Sequence, residues 1–495
     1  MSEVRDRVVS PGQEDPFVKG LAEVIGGPRG DHAVRETPTR GGRFWTAARI
    51  VLALTCLTLI MHWVQKSPCR DGAWTDLKQY TNFCYTDVLA LYYAEGLSQG
   101  KVPYFPEYPV PDEHQVEYPV LTGAFMGLIG LPVHALGTRI PELNQGQAFY
   151  DLNALVLSAF AVASVAMILS LRRRRPWDAA LFALSPALLV TATVNWDFLA
   201  IVLAVAGLWF WARKQPLLAG VLFGLGTSAK LWPLFLLGPI IVLAIRKRAL
   251  APMWWAVGAT VFTWLVINVP VMLISWTDWY KFMDLNQTRA IDWGTLWYVG
   301  RYFDAEVFRG VAPDFWNDIS LVTNLALVLF LAGCAGVLAL GLLARTPPRL
   351  AQLAFIVVAL FLVTSKVWSQ QFTLWLLPLL VLARPKWGAF LFWQVTEVAY
   401  FLAFYGELLG ASGRSVIPEG TFVFASILRL AAVITLIVLV VREILHPELD
   451  VVRKTYGTDP DDPTWRVDYR EKITASGFSS RLMPNSSQEA VKARS

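Results

Sequence analysis

Two lysines lie where the surrounding sequence is otherwise apolar. Lys230 sits in Gly-Thr-Ser-Ala-Lys-Leu-Trp-Pro between two short apolar runs, and Lys366 sits in Thr-Ser-Lys-Val-Trp-Ser-Gln-Gln. Ammonium groups hold anions, and an ionisable side chain beside a membrane span is costly, so both are functional candidates by default. The alternative is that both side chains reach the outer headgroups. Polar neighbours and unusually short hairpins favour function.

A carboxylate lies at the predicted start of a short amphipathic helix. In the segment from Tyr85 to Gly96, Thr86 is the expected N-cap and Asp87 falls in the first helical turn. The helix dipole favours an ionised carboxylate there by about 0.3–1 kcal/mol. A carboxylate in this place can accept a proton, but Asp87 could equally serve the helix start alone.

The amino-acid composition indicates that most of the chain that positions these residues lies in lipid. The chain has 495 residues, of which 55% are hydrophobic and only 16% are charged. Soluble domains average about 25% charged residues, so the composition predicts an all-α membrane protein, a polytopic helical bundle. The net charge of +5 is not a nucleic-acid signal, because the basic residues form short clusters between apolar runs.

Thirteen apolar runs are candidates for spans: Phe44–Val64, Tyr118–Gly137, Leu152–Leu171, Ala179–Val194, Phe198–Trp211, Leu217–Thr227, Leu231–Ile245, Met253–Ile274, Leu321–Leu343, Leu350–Val363, Phe372–Ala383, Gly388–Phe404 and Phe422–Val441. Arginine and lysine clusters favour the cytoplasm. If Tyr118–Gly137 lies at the outer interface, every cluster, including Arg172 to Arg175, falls inside. The sequence therefore predicts about twelve spans in the plasma membrane, with both termini cytoplasmic.

This topology leaves two large outer loops, 65–150 and 276–319. The first contains Asp87, many other acidic residues, and Cys69 and Cys84, which could form a disulfide on an oxidising side or remain free thiols. The second contains five tryptophans, which indicate either an interfacial belt or stacking against a sugar ring. Residues 1–43 and 446–495 are predicted to be disordered cytoplasmic tails on either side of a membrane domain, 44–445.

Several motifs, in order along the chain, resemble the integral-membrane glycosyltransferases of the C superfamily, and most closely family 87, the polyprenyl-phosphate-mannose-dependent mannosyltransferases. They are the outer-loop Asp87 with its Tyr-rich helix, Gly100-Lys-Val-Pro-Tyr104, Tyr118-Pro119-Val-Leu121, Asn195-Trp-Asp197 after Ser185-Pro186, Ala219-Gly220-x-x-x-Gly224-x-Gly226 before Lys230 and Pro233, and Lys366 to Pro378. Several related proteins have Tyr-Pro-Pro where this chain has Tyr118-Pro119-Val120. The resemblance covers about residues 45–445.

The resemblance implies juxtamembrane helices in the first outer loop and transfer of a sugar, mannose, from a polyprenyl-phosphate donor to an acceptor hydroxyl at the outer face. Asp87 is then the expected general base, with Asp76 in Trp74-Thr-Asp76-Leu as its rival. The cationic candidates for the donor phosphate are Lys230, Lys366 and Arg289. The expected residues of the substrate cavity are Glu117, Tyr118, Asn195, Asp197 and Gln370, although Asp197 could be only a helix cap.

Two other classes of function remain compatible with many spans and with lysines at membrane level. One is a transporter or flippase of a lipid-linked sugar, against which stand the large acidic outer loop and the absence of convincing similarity between the two halves. The other is a membrane scaffold without catalysis. The acceptor could be a lipid, a glycan or a protein. No carboxylate pair has a spacing that demands a cation, so we expect no metal and no cofactor.

Overall fold

A computed structural model describes residues 8–26, 44–105, 115–463 and Trp465. Residues up to Pro463 form one compact unit, and Trp465 is the one described residue beyond it. Of the residues that the structure describes, 76% are helical and none lies in a strand. The predicted all-α class is therefore correct. Lipid favours this outcome, because a helix satisfies its own backbone hydrogen bonds without water.

The described residues of the first half form eleven α-helices: α1 (Pro11–Glu14), α2 (Pro16–Gly26), α3 (Ala47–Lys66), α4 (Lys78–Thr81), α5 (Asp87–Ala94), α6 (Val120–Gly137), α7 (Gln145–Leu171), α8 (Ala180–Ala183), α9 (Pro186–Thr191), α10 (Asp197–Ala212) and α11 (Pro216–Ala229). Eleven more follow: α12 (Leu237–Lys247), α13 (Leu250–Ile274), α14 (Trp276–Thr288), α15 (Leu296–Glu306), α16 (Pro313–Asn317), α17 (Ile319–Leu343), α18 (Leu350–Thr364), α19 (Thr373–Ala383), α20 (Trp387–Ala411), α21 (Glu419–Leu445) and α22 (Val451–Tyr456).

Each apolar run of the sequence is helical, and the run 179–194 is broken into α8 and α9. Among the described residues, six helices are long and apolar enough to cross a membrane by length and composition: Ala47–Cys69, Val120–Gly137, Gln145–Leu171, Leu250–Ile274, Ile319–Leu343 and Glu419–Leu445. Four further apolar helices are shorter. The chain is thus a polytopic helical membrane protein. The count of about twelve spans and the interfacial position of Tyr118–Gly137 stay predictions.

The closest helix packing joins α11 to α13, where two glycines of α11 allow the backbones to meet. A Cβ atom on Gly220 would lie 2.2 Å from the carbonyl oxygen of Ala256, and one on Gly224 would lie 2.6 Å from that of Thr260. The Thr260 hydroxyl donates to the carbonyl oxygen of Gly220 at 3.0 Å. Small residues thus let α11 approach α13, and Lys230 follows directly at the end of α11.

Two arginines from which the sequence predicts a cytoplasmic side are buried and ion-paired. Arg172 lies 2.6 Å from Asp461, and Arg349 lies 2.6 Å from Asp450. Both guanidinium groups also donate to the carbonyl oxygen of Leu382, at the end of α19. The acidic residues after α21 therefore neutralise the basic clusters within the protein itself.

The described parts of the two predicted disordered tails are ordered. In the N-terminal segment, α1 and α2 pack beside the bundle, where the Asp15 carboxylate accepts a hydrogen bond from the Trp387 amide at 2.8 Å. In the C-terminal segment, α22 follows Asp450, whose side chain caps it and binds Arg349. Acidic residues that composition assigns to a solvated tail therefore hold these segments against buried arginines, through Glu14 with Arg175 and Asp450 with Arg349. The rest of both tails lies outside the described residues.

Candidate active site

A cavity of about 600 Å³ brings together side chains from widely separated parts of the chain. This volume is in the usual range of small-molecule sites. The start of α5, the ends of α11 and α14, one side of α20 and the link between α18 and α19 contribute to its wall. Seven predicted site residues line it: Asp87, Glu117, Tyr118, Asn195, Lys230, Arg289 and Gln370.

Asp87 is held at the cavity wall from several directions. Thr86 caps α5 by accepting from the Val88 amide, and the Asp87 amide donates to the carbonyl oxygen of Val194 at 2.8 Å. One carboxylate oxygen accepts from the Asn195 side-chain amide at 2.8 Å, and Tyr85 also hydrogen-bonds to the carboxylate. Burial raises the pKa of Asp87, and the hydrogen bonds from Asn195 and Tyr85 and the charge of Lys230 oppose that rise.

Asn195 connects Asp87 to the opposite wall of the cavity. Its amide nitrogen also lies 2.5 Å from the Tyr118 hydroxyl, and its carbonyl oxygen accepts from the Trp196 amide at 2.7 Å. The Tyr118 ring packs edge-on against Trp196, with 5.5 Å between ring centroids. The amide of Asn195 is therefore oriented with its donor toward Asp87.

Lys230 forms a buried ion pair with Asp197. The ammonium lies 2.7 Å from one carboxylate oxygen, which also accepts from the Trp375 indole at 2.6 Å. The rings of Phe372, Trp375 and Tyr118 surround the ammonium with centroids at 5.2, 5.7 and 5.8 Å. Asp197 itself does not line the cavity. It is thus a partner of Lys230 in the wall.

A second cationic group lies at the end of α14. The Arg289 side chain is 45% exposed, and its guanidinium lies 3.6 Å from the Asp292 carboxylate. Lys366 lies outside the cavity lining, behind the end of α14 that carries Arg289. The Lys366 ammonium donates a hydrogen bond to the carbonyl oxygen of Gln287 at 2.9 Å. Burial and the charge of Arg289 lower the pKa of Lys366. Arg289 is therefore the more accessible of these two cations.

Asp76 lies apart from this arrangement. It is exposed, adopts a left-handed backbone conformation with φ of 52°, and is not among the cavity residues. It lies two residues after Trp74, whose ring contacts Tyr85. The structure thus brings Asp87, but not its rival, to the lysine and the arginine.

The disulfide that the sequence leaves open is present. Cys69 and Cys84 are bonded, with their Cα atoms 5.7 Å apart. Cys84 precedes Asp87 by three residues, and both cysteines are buried. The disulfide therefore joins the end of α3 to the segment that leads into α5.

An apolar groove of about 320 Å³ adjoins the cavity. It lies along α11, α13 and α14, and most of its surface is apolar. Pro119, Leu231 and Phe282 line both spaces. The groove therefore meets the cavity at the part of the cavity wall that contains Lys230.

The five tryptophans of the predicted second outer loop have different surroundings. Trp279 lines the apolar groove and Trp276 is 59% exposed, whereas Trp293 lines the cavity. The Trp297 indole donates to the carbonyl oxygen of Thr364, and Trp316 packs on Gly300. One of the five thus lines the cavity, one lines the groove and one is mostly exposed, so the interfacial belt and the stacking against a sugar both stay predictions.

Two buried charged residues escaped the sequence reasoning. Arg429 lies 3.1 Å from Glu397, and its guanidinium is 4.1 Å from the ring centroids of Trp368 and Tyr400. It also donates to the carbonyl oxygens of Trp368 and Ser369, next to Gln370 in the cavity wall. Arg429 and Glu397 each interrupt an apolar run of the sequence. A charged residue within such a run is the sequence signal that could have identified them. Tyr85 and Asp292, also in the cavity wall, carry no comparable signal.

Within the described ranges, no group of three or more His, Cys, Asp or Glu side chains is arranged to hold a metal ion.

Comparison with known proteins gives one result. The sequence model of glycosyltransferase family 87 matches residues 125–369, whereas no curated protein matches the chain. The matched segment contains Asn195, Lys230, Arg289 and Lys366, while Asp87 precedes it. The match confirms the resemblance that the motifs indicate, and the chain is therefore a membrane glycosyltransferase of the family 87 type.

Proposed function

We propose that this glycosyltransferase moves a mannosyl residue from a polyprenyl-phosphate donor to an acceptor hydroxyl at the outer face of the plasma membrane, with Asp87 as general base. The observation that carries the proposal is the convergence of Asp87, Lys230 and Arg289 on one cavity beside an apolar groove. A base, cations for a phosphate and space for a lipid are the three requirements of this reaction.

Asp87 deprotonates the acceptor hydroxyl as the hydroxyl attacks the anomeric carbon. A sugar hydroxyl is a weak nucleophile, and a positioned base contributes about 10²–10⁴-fold to its reaction. The Asn195 amide donates to one carboxylate oxygen at 2.8 Å and thereby orients the other. The hydrogen bonds and the positive charge of Lys230 favour the ionised carboxylate that a base requires.

The leaving group is a stabilised phosphate, so it needs cations and no acid. Lys230 and Arg289 both line the cavity, but the charge of Lys230 is balanced by Asp197 at 2.7 Å. Arg289 is nearly half exposed, and its carboxylate neighbour is 3.6 Å away. A guanidinium binds phosphate oxygens in a bidentate manner. We therefore infer that Arg289 makes the main phosphate contact, Lys230 contributes from the wall, and Lys366 acts from behind Arg289.

The apolar groove supports a lipid-linked donor. Its lining includes Leu231, Leu234, Val261, Phe282 and Met283, and it reaches the cavity beside Lys230. A polyprenyl chain in this groove would place its phosphate at the cavity mouth. Trp293 in the cavity wall offers an aromatic face on which a sugar ring can stack.

The buried disulfide supports an outward-facing site. Disulfides persist in oxidising compartments and are rare in the cytosol. The Cys69–Cys84 bond lies three residues before Asp87, so the proposed base and the disulfide share one side of the membrane. This orientation is the one that the predicted twelve spans and the predicted cytoplasmic termini require.

The test compares two matched variants, Asp87→Asn and Asp76→Asn, in purified protein supplied with labelled polyprenyl-phosphate-mannose and an envelope acceptor fraction. We expect Asp87→Asn to lower turnover by about 10²–10⁴-fold while donor binding persists. Asp76→Asn should retain wild-type turnover, because Asp76 is exposed and outside the cavity. Unchanged turnover in Asp87→Asn would refute the assignment of the base. Movement of the intact carrier across liposomes without sugar transfer would favour a transporter instead.

A further inference from the structure

A buried lysine lies behind the proposed base and has no role in the reaction described above. Lys66 is the last residue of α3 and is 1% exposed. Its ammonium donates to the carbonyl oxygens of Tyr85 at 3.1 Å and Phe83 at 3.4 Å. Lys66 does not line the cavity, whereas Tyr85 does. It therefore contacts the backbone that carries Asp87 and not the space that would hold substrate.

The end of α3 holds the 83–85 turn through three separate attachments. Besides Lys66, the Gln65 side-chain amide donates to the carbonyl oxygen of Phe83, and Cys69 is bonded to Cys84. Phe83 has a left-handed backbone with φ of 56°, a strained conformation for a residue with a side chain. A turn of this kind persists only where its surroundings hold it in place, and here it leads directly into Asp87.

The charge of Lys66 is not matched by a nearby carboxylate. Within residues 8–26, 44–105 and 115–463, no acidic side chain lies within ion-pair distance of it, and the negative charge that acts on it is that of Asp87. Lys230, in contrast, is paired with Asp197 at 2.7 Å. Because a buried ammonium without a carboxylate partner is costly even when carbonyl oxygens accept its hydrogen bonds, its position beside the backbone of Asp87 points to an electrostatic task.

Other titratable groups also act on Asp87. The loop and α5 contribute Tyr85 and Glu95. His62, one turn before Lys66 on α3, interacts electrostatically with Lys66. The facing walls contribute Tyr118, Lys230, Asp197 and Tyr405. Among these neighbours the cations are Lys66 and Lys230, and both interact electrostatically with Asp87. Lys230 also has Asp197 as an ion-pair partner at 2.7 Å, whereas Lys66 contacts backbone carbonyl oxygens.

We propose that Lys66 is a positioning residue for the base: it holds the 83–85 turn in place and puts a positive charge behind the Asp87 carboxylate. This inference rests on the proposed role of Asp87. It predicts two separable effects of Lys66, one mechanical and one electrostatic.

The experiment measures the pH dependence of kcat/KM for wild type, Lys66→Met, Lys66→Arg and Gln65→Met with the labelled donor and envelope acceptor. Gln65→Met is the matched control, because it removes a hydrogen bond to the same carbonyl oxygen of Phe83 without changing charge. The acidic limb is the low-pH side of the profile, where kcat/KM falls as Asp87 becomes protonated. Lys66→Met should move this limb to higher pH by at least roughly half a pH unit, because the variant loses a nearby unit charge. Lys66→Arg and Gln65→Met should keep the limb where wild type has it.

Lys66→Gln replaces Lys66→Met if the latter does not fold, since it keeps a donor for the turn and still removes the charge. An acidic limb that stays at the wild-type pH in the neutral variants, with activity lowered equally at every pH, would overturn the electrostatic role. Full activity of Asp87→Asn would instead overturn the proposed base. Loss of activity in Asp87→Asn together with an unshifted limb in Lys66→Met would overturn the Lys66 inference alone.

Discussion

Removing the carboxylate of Asp197 should leave Lys230 as a buried charge without a counter-ion. The two residues are 0% and 8% exposed, and the N–O distance is 2.7 Å. At an effective dielectric constant near 20, two unit charges at that separation attract by about 6 kcal/mol. Loss of one partner from a buried pair costs about 3–5 kcal/mol, because the remaining charge is no longer compensated. We expect Asp197→Asn to destabilise the fold by that amount.

Asparagine is the informative replacement because it removes charge and keeps an oxygen. The Asp197 oxygen that binds Lys230 also accepts from the Trp375 indole at 2.6 Å, and an amide oxygen can still accept both hydrogen bonds. The second carboxylate oxygen is buried and has no hydrogen-bond partner among the described residues. The measured loss should therefore report the missing charge more than missing hydrogen bonds.

The assay is a double-mutant cycle on the free energy of unfolding in detergent micelles, with Asp197→Asn, Lys230→Met and the double variant. Neutralising both residues removes the uncompensated charge, so the double variant should recover most of the stability that Asp197→Asn loses. Lys214→Met serves as control: Lys214 is exposed, and its replacement should change stability by less than about 0.5 kcal/mol. A double variant whose loss equals the sum of the two single losses would refute the ion-pair reasoning.

Three further predictions concern stability. Replacing Cys69 and Cys84 by serine should cost about 3 kcal/mol, because the disulfide spans 15 residues, and reduced wild type should match the variant in thermal unfolding. Burial raises the pKa of Glu95 from 4.5 to about 8, so wild-type stability should fall as pH rises between these values, whereas a Glu95→Gln variant should lack that decline in unfolding measured across pH. Gly220→Ala should lower the unfolding temperature, because its Cβ would lie 2.2 Å from a backbone oxygen of α13, whereas Gly238→Ala, with open space around it, should not.

The helices were largely predictable from the sequence. Every apolar run is helical, because a lipid-compatible segment must satisfy its backbone hydrogen bonds internally. Thr86 caps α5 as its residue type and position predict. Composition failed for the segments 8–26 and 446–463, where acidic residues bind buried arginines such as Arg172 and Arg349. Polarity alone does not distinguish a solvated acidic tail from one that carries the counter-ions of a buried cluster.

The candidate site was predictable in part. Asp87, Asn195 and Lys230 meet at the cavity although about 100 residues separate the first two along the chain. The motif order could indicate that these residues act together, but it could not give the partner of each. Lys366 was expected beside the donor phosphate, yet its ammonium binds the carbonyl oxygen of Gln287 behind the wall. Arg429 was missed because one charge in a long apolar run hardly changes the average hydropathy.

The amino-acid sequence by itself determined the solvent, the helical class, the family and the two lysines that depart from the apolar pattern, because these depend on residue types and on their local order. The tertiary structure decided which charged side chains have a counter-ion within ion-pair distance. Lys230, first seen as an isolated ammonium, is balanced by Asp197, while Lys66, unremarkable at the end of α3, is a buried charge behind Asp87. Burial and ion pairing are properties of contacts between distant segments, and only packing brings those segments together.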